Sequence, residues 1–349
     1  MRSTILRFAS IDTIARANLG TRYSAAVVRL ENAGKLVFER AYGTTTSDRD
    51  ALPIFVDTRF DIASITKVYV ATVALALVAR GALTLDEPLV PLVPEWHATP
   101  HAPITLHMIL AHTAGFKSGA DYRTLLDQNV ETFALTAPLV GVPGERVVYS
   151  DLGFIALGVI IARAARSSLR GTVESVVREL GAQRVGYVPT RAERTNIPAT
   201  ERDAWRGLVQ GAVHDEKAAL GNGVAGHAGL FANAADVARL AQWYLGPQRG
   251  RSGVLDPALA KLAIRERAYD QILRRGLGWA LKTNDENSCG ARMSSNTFGH
   301  TGFTGTCVWV DPERDATIVI LTNAVHFGRT DIRPIRAAIC DAAMLELDA

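Results

Sequence analysis

Residues 60–69 read Phe60-Asp61-Ile62-Ala63-Ser64-Ile65-Thr66-Lys67-Val68-Tyr69, and a mostly apolar run continues to Leu77. Such a run of helix formers predicts a buried helix. Ser64 stands where it begins, a position at which serine is a favoured cap. Residues i and i+3 share a helix face, so Lys67 is expected beside the Ser64 hydroxyl. A serine hydroxyl is a weak nucleophile until a neighbouring base takes its proton. A lysine in an apolar helix is expected to lose charge stabilisation and to titrate lower than usual. The helix start also offers N–H groups to a developing oxyanion. That is the mechanical content of a Ser-x-x-Lys pair. The same four letters also describe a capped helix with one snorkelling lysine, so other segments have to decide.

Bulk properties narrow the field. The 349 residues are 48% hydrophobic and 21% charged, with a net charge of +3, which is ordinary globular composition. Without a basic run this charge does not argue for nucleic acid. Cys289, Cys307 and Cys340 are too few and too widely spaced for a zinc site or a disulfide framework. Arg7 and Asp12 interrupt the apolar residues near Met1, so no secretory leader is read and a cytoplasmic location is expected. No run of 18 apolar residues suggests a membrane span.

Outward from Ser64, residues 4–18 have helical spacing, and Tyr23–Leu30 and Leu36–Tyr42 form a hairpin around Glu31-Asn32-Ala33-Gly34. Helix patterns dominate from about 65 to 265, including Leu89–Val93, Thr105–Ala111, 150–166, Val173–Leu180 and Ala234–Tyr244. Strand patterns return at Gly276–Leu281, Gly305–Val310 and Ala316–Thr322, and 331–347 closes as a helix. The expected class is α+β: an antiparallel sheet built from both chain ends and flanked by helices, with a mostly helical insertion. The corresponding division is 1–64 with 266–349 as the sheet domain and 65–265 as the helical domain, the active site lying between them.

Two further stretches bear on chemistry. Tyr149-Ser150-Asp151 follows a Pro143-Gly144 turn and enters the 150–166 helix. A tyrosine there can act as a base if a cation such as Lys67 favours its ionised form. Phe298-Gly299-His300-Thr301-Gly302-Phe303-Thr304-Gly305 is glycine-rich beside a late strand. An edge strand there can pair with substrate or give N–H groups to an oxyanion. Other candidates weigh less. His112 and His227 read as structural histidines, and His214-Asp215-Glu216 as a loop near the cleft. Gly221–Gly226 matches G-x-G-x-x-G without a preceding strand, which disfavours nucleotide binding. No G-x-S-x-G elbow is present.

Taken together, Ser-x-x-Lys after the first hairpin, Tyr-x-Asp mid-chain and His-Thr-Gly late resemble, in that order, the serine β-lactamase and D-Ala-D-Ala peptidase superfamily, in its class C-like branch with esterase and transacylase relatives. Leu110–Phe116 and Ala225–Phe231 resemble further segments of that family. The resemblance implies Ser64 as acylated nucleophile, Lys67 and Tyr149 as the proton-transfer pair, and His300-Thr301-Gly302 as the Lys-Thr-Gly element. It implies the N–H groups of Ser64 and Phe303 as the oxyanion hole, with Asp151 at the substrate. It implies no metal or organic cofactor.

Two positions depart from the pattern. Histidine replaces the lysine at 300, and aspartate replaces the asparagine at 151. Neutral histidine is a poor clamp for a carboxylate, and an ionised aspartate cannot donate to an amide. The expected enzyme is therefore an intracellular serine esterase or transacylase, for example one tailoring a natural product. Its partners are a small acyl donor and water, an amine or an alcohol, with no nucleic acid or membrane, and it is expected as a monomer or weak homo-oligomer. The alternatives are a β-lactamase or D-Ala-D-Ala carboxypeptidase, and a non-catalytic binding or sensor module on the same fold.

Overall fold

The computed structural model describes residues 8–246, 254–269 and 274–349. Helix α1 (Ala9–Ala17) leads into β1 (Ala25–Asn32) and β2 (Lys35–Gly43). Ala33 and Gly34 make the two-residue turn with φ of 50° and 73°, left-handed geometry that suits the strand twist and that glycine adopts freely. The expected helix thus begins at Ala9, and Ile5 and Leu6 lie outside the described residues. Strand β3 (Phe60–Asp61) precedes the turn that carries Ser64 and then α2 (Thr66–Ala79). Then come α3 (Leu106–Leu110), α4 (Val130–Thr136), α5 (Asp151–Ala165), α6 (Leu169–Glu179), β4 (Gly186–Tyr187), β5 (Glu201–Asp203), β6 (Gly207–Val209), α7 (Glu216–Leu220), β7 (Leu230–Ala232), α8 (Ala234–Leu245) and α9 (Pro257–Ala263). The chain closes with β8 (Ala268–Tyr269), β9 (Arg274–Arg275), β10 (Ala280–Leu281), β11 (Phe298–Thr301), β12 (Cys307–Asp311), β13 (Ala316–Thr322) and α10 (Arg333–Leu347).

The main sheet runs β2-β1-β13-β12-β11-β10-β9-β8, antiparallel throughout. Early and late strands meet one strand in from the β2 edge, where Val28 pairs with Ile320. All seven residues of β13 are buried. Alternation explains why. Val27, Val319 and Leu321 join the cluster of α2, α5 and α8, while Val28, Ile318 and Ile320 join that of α1 and α10. Helix α2 is buried on every side from Thr66 to Leu77, as an all-apolar helix must be.

Three local expectations give way. Leu89–Val93 forms turns rather than a helix, because Pro88, Pro91 and Pro94 remove donors and restrict their neighbours. Gly276–Trp279 is the tight turn between β9 and β10, and only Ala280 and Leu281 are strand. Strand β11 lies inside the sheet rather than at its edge, although β10 pairs only with Phe298 and Gly299. No single helix among the described residues is long and apolar enough to cross a membrane.

Candidate active site

Ser64 does not cap α2. It lies in a 3-10 turn, Ala63–Ile65, that runs into the helix without a side-chain cap. The buried Asp61 carboxylate builds this turn, accepting from the Ala63 N–H at 2.8 Å and the His214 N–H at 2.6 Å. Ala63 is held at φ 45°, a conformation that costs a non-glycine residue energy and persists only where the surroundings enforce it. Burial pushes the Asp61 pKa up, against the two N–H donors that favour its charge. With no capping duty, the Ser64 hydroxyl accepts from Lys67 Nζ at 3.0 Å.

Lys67 is fully buried. Besides Ser64, its Nζ meets the His227 carbonyl at 3.2 Å and Asp151 Oδ1 at 2.9 Å. Burial works against the charge, but the Asp151 carboxylate and then the Tyr149 oxygen outweigh it and hold the pKa above the ordinary lysine value. The expectation of a lowered pKa is thereby corrected: the apolar helix contains no countercharge, but the α5 entrance supplies one. Ser150 caps α5, accepting from the Gly153 N–H at 3.0 Å. That cap sets Tyr149 and Asp151 on either side, and Lys67 Nζ stands 4.9 Å from the centre of the Tyr149 ring.

Asp151 does not act on Lys67 alone. Its Oδ2 lies 3.3 Å from Lys217 Nζ. Lys217 also meets Asp215 Oδ2 at 3.1 Å, and Asp215 Oδ1 lies 2.8 Å from His227 Nε2. His227 returns to Lys67 through its carbonyl, so the five residues close a ring. Burial opposes both carboxylate charges, yet Lys67, His227 and Lys217 hold Asp151 below its usual range, and His227 and Lys217 hold Asp215 well below. Asp151, Asp215 and His227 are near enough to share a metal ion, the one such group among the described residues. The two ammonium groups already supply its countercharge.

His300 is buried, and its Nδ1 faces the Thr301 carbonyl at 2.8 Å. Burial, with the Arg275 and Lys67 cations, lowers its pKa to about 3, so the ring is neutral at physiological pH. Arg275 reaches the same wall from β9, its guanidinium 5.1 Å from the centre of the Tyr149 ring. His112 packs on the other side at 4.6 Å between ring centres. Its Nδ1 accepts from the Ser150 N–H at 3.1 Å, which leaves the proton on Nε2.

The loop after β11 packs against the Ser64 turn. Thr304 and Thr306 donate to the carbonyls of Asp61 and Ile62 at 2.8 and 3.2 Å. A Cβ at Gly302 would stand 2.1 Å from Thr306 Oγ1 and 2.6 Å from the Ile62 carbonyl, so only glycine lets the two backbones approach. The buried Arg336 of α10 donates to the Gly302 and Gly305 carbonyls at 2.8 and 3.2 Å. Among the described residues, no protein acceptor takes the Ser64 or Phe303 N–H. Ser64, Tyr149, Thr301 and Phe303 line one cleft of about 650 Å³ with Arg275 and His300.

The structure therefore brings Ser64, Lys67, Tyr149, Asp151, His300, Thr301, Gly302 and Phe303 together. Sequence reasoning missed Asp61, Lys217, Arg275 and Arg336. Lys217 had a signal in the adjacent acids Asp215 and Glu216, and the other three had none. His214–Glu216 does border the site, with Asp215 capping α7 by accepting from the Ala218 N–H.

Comparison with known proteins agrees with this geometry. The Beta-lactamase family profile matches residues 11–341. A putative D-alanyl-D-alanine carboxypeptidase of Escherichia coli (strain K12) is 32% identical over 305 residues, 77% of this chain and 70% of that protein. Esterase EstB of Burkholderia gladioli is 29% identical over 366 residues, 92% and 91% of the two chains. The structure of EstCE1, described as a hydrolase with promiscuous acyltransferase activity, shares the fold with a TM-score of 0.78 at 21% identity, over 96% of this chain and 97% of that one. The chain belongs to the Beta-lactamase family, as a serine hydrolase.

Proposed function

We propose that the enzyme forms an acyl-enzyme at Ser64 from a carboxylic ester or similarly activated acyl donor. The acyl group then passes to water, or to an amine or alcohol acceptor, as suits an enzyme that tailors a natural product. The observation that carries this reading is the Ser64–Lys67 contact within a cleft whose family lysine is a neutral histidine. Two of the three directions around Lys67 Nζ are taken by obligate acceptors, the His227 carbonyl and Asp151. Beside Asp151 the ammonium is the major form; the amine that forms when it gives up one proton donates along those two and has its lone pair left for the Ser64 proton. Ser64 Oγ bonds to the acyl carbon as its proton passes to the Lys67–Tyr149 pair. The carbonyl oxygen, now anionic, takes the N–H groups of Ser64 and Phe303. Collapse expels the alkoxide, which recovers the proton, and the acceptor repeats the steps in reverse order. The esterase name of the Burkholderia gladioli relative supports an ester donor, and the promiscuous acyltransferase activity ascribed to EstCE1 supports a choice of acceptors.

Arg275 favours a second reading. Its guanidinium lines the cleft and stands over Tyr149, where it can hold a substrate carboxylate that His300 cannot. The carboxypeptidase name of the Escherichia coli relative points the same way. Intact-mass detection of Ser64 acylation across short-chain esters, thioesters, a D-Ala-D-Ala peptide and β-lactams separates the two. Esters acylating fastest is the expected result, and faster acylation by the peptide would replace the first reading with the second.

A further inference from the structure

Lys217 has no part in the proposed steps, yet it is buried and faces the one carboxylate that grips Lys67. The ring of five residues gives Asp151 one cation on each oxygen: Lys67 on Oδ1 at 2.9 Å and Lys217 on Oδ2 at 3.3 Å. Asp215 anchors Lys217 from the start of α7, and His227 anchors Asp215. An aspartate at 151 poses a problem for a base. Held beside Lys67 alone, its full charge stabilises the ammonium and opposes release of the proton along the Ser64 direction. A second cation on the far oxygen weakens that hold without removing the carboxylate.

We propose that Lys217 is a positioning residue for proton transfer, which by sharing Asp151 keeps the Lys67 proton exchangeable with Ser64. This rests on the reading that Lys67, with Tyr149, accepts the Ser64 proton. The groups that face Lys67 are few. Asp151 and Tyr149 come from the α5 entrance, and the Asp215–Lys217 pair with His227 from residues 215–227. His300 faces it from the sheet and His112 from the end of α3, with Arg275 over the Tyr149 ring. All of these except Asp151 and Asp215 are cationic or neutral at pH 7 or, for Tyr149, part of the transfer pair itself. Loss of Lys217 therefore leaves two carboxylates less balanced, and Lys67 binds its proton more tightly.

The test uses p-nitrophenyl butyrate and the pH dependence of kcat/KM. In Lys217→Met the rising limb is expected to move to higher pH by about one unit, with about a tenfold loss of kcat/KM at pH 7. KM should change little. Lys217→Arg keeps the cation and should keep the limb in place. Asp151→Asn with Lys217→Met removes both charges and should return the limb towards the wild-type position. An unmoved limb in Lys217→Met, or a double variant no better than Lys217→Met, overturns the proposal. If Lys217→Met does not fold, the limb in Lys217→Gln decides in the same way. Ser64→Ala, run alongside, separates the two levels. An active Ser64→Ala means that the nucleophile reading has failed. An inactive one with an unmoved limb means that only the role of Lys217 has failed.

Discussion

Arg336 donates from Nη2 to the Gly302 carbonyl at 2.8 Å, so α10 holds the loop that carries the Phe303 N–H. The same guanidinium holds Gly305, and burial pushes its pKa down without removing its charge. Gly302→Ala forces a Cβ into Thr306 and the Ile62 carbonyl and is expected to displace Phe303, one of the two proposed oxyanion donors. The expected loss is about 100- to 1,000-fold in kcat, with Arg336→Met losing less. Both are read from single-turnover acylation, and a Gly302→Ala enzyme of normal rate would place the oxyanion elsewhere.

Ser64→Ala should fold as the wild type does, because Asp61 rather than the hydroxyl builds the turn. Activity should fall by several powers of ten, since a nucleophile works as part of a unit. The mass shift with a fluorophosphonate should vanish with it. Activity above a few per cent removes Ser64 from the chemistry.

Lys67 Nζ lies 4.9 Å from the centre of the Tyr149 ring, and the proposed mechanism has the pair share one proton. Lys67→Ala should cost at least as much in acylation rate as Tyr149→Phe, and the double variant far less than the sum of the two losses. Four single-turnover measurements suffice. Additive logarithmic losses would mean that the residues act independently.

Acid should weaken the protein partly through His300. Its folded pKa of about 3 lies below the unfolded 6.5, so in that window the unfolded chain binds a proton that the folded one does not. Stability contributed by the neutral ring is complete above 6.5 and is lost as pH falls, with a slope approaching about 1.4 kcal/mol per pH unit. His112, also held neutral by burial and nearby cations, acts in the same direction. Urea unfolding of His300→Asn at pH 7.5 and 4.5 should show a smaller difference between the two pH values than the wild type. An equal difference would show that His300 is not what titrates.

His300→Lys with Asp151→Asn restores the family letters at both departures. This pair should raise β-lactam acylation more than ester acylation, measured with a chromogenic cephalosporin and a p-nitrophenyl ester. Wild-type protein that already hydrolyses the cephalosporin faster than the ester would show that Arg275 fully replaces the missing lysine.

Ser64, Lys67 and Tyr149 were legible through the order of three motifs and its resemblance to a family; helical spacing brought Lys67 to Ser64 but left a plain capped helix equally open, and Tyr149 by itself read as a packing residue. The sheet was legible for a similar reason, since the β-branched runs of β1 and β13 alternate between two apolar faces. Charge balance was not. The buried position of Lys67 reads as a lowered pKa until Asp151 is seen 2.9 Å away, and Lys217 acquires a role only through that contact across the fold. Arg275 was hidden because Gly276–Trp279, which read as strand, is a turn, and Arg275 lies on the short strand before it. Such features depend on pairings distant in sequence, which periodicity does not record.

The pairing of β1 with β13 has a further consequence for how the enzyme comes into being. The nucleophile turn and α2 are made early in synthesis, but the strand that completes the sheet and the loop that leans on Asp61 and Ile62 are made late. Contacts of such long sequence separation close slowly, and a growing chain exposes the unpaired edge of β1 while it waits. Ser64 and Lys67 can therefore be neighbours in a nascent chain that still lacks Phe303, one of the two donors proposed to hold a tetrahedral intermediate. Catalytic competence should arrive with the last strands, after most of the helical core has condensed.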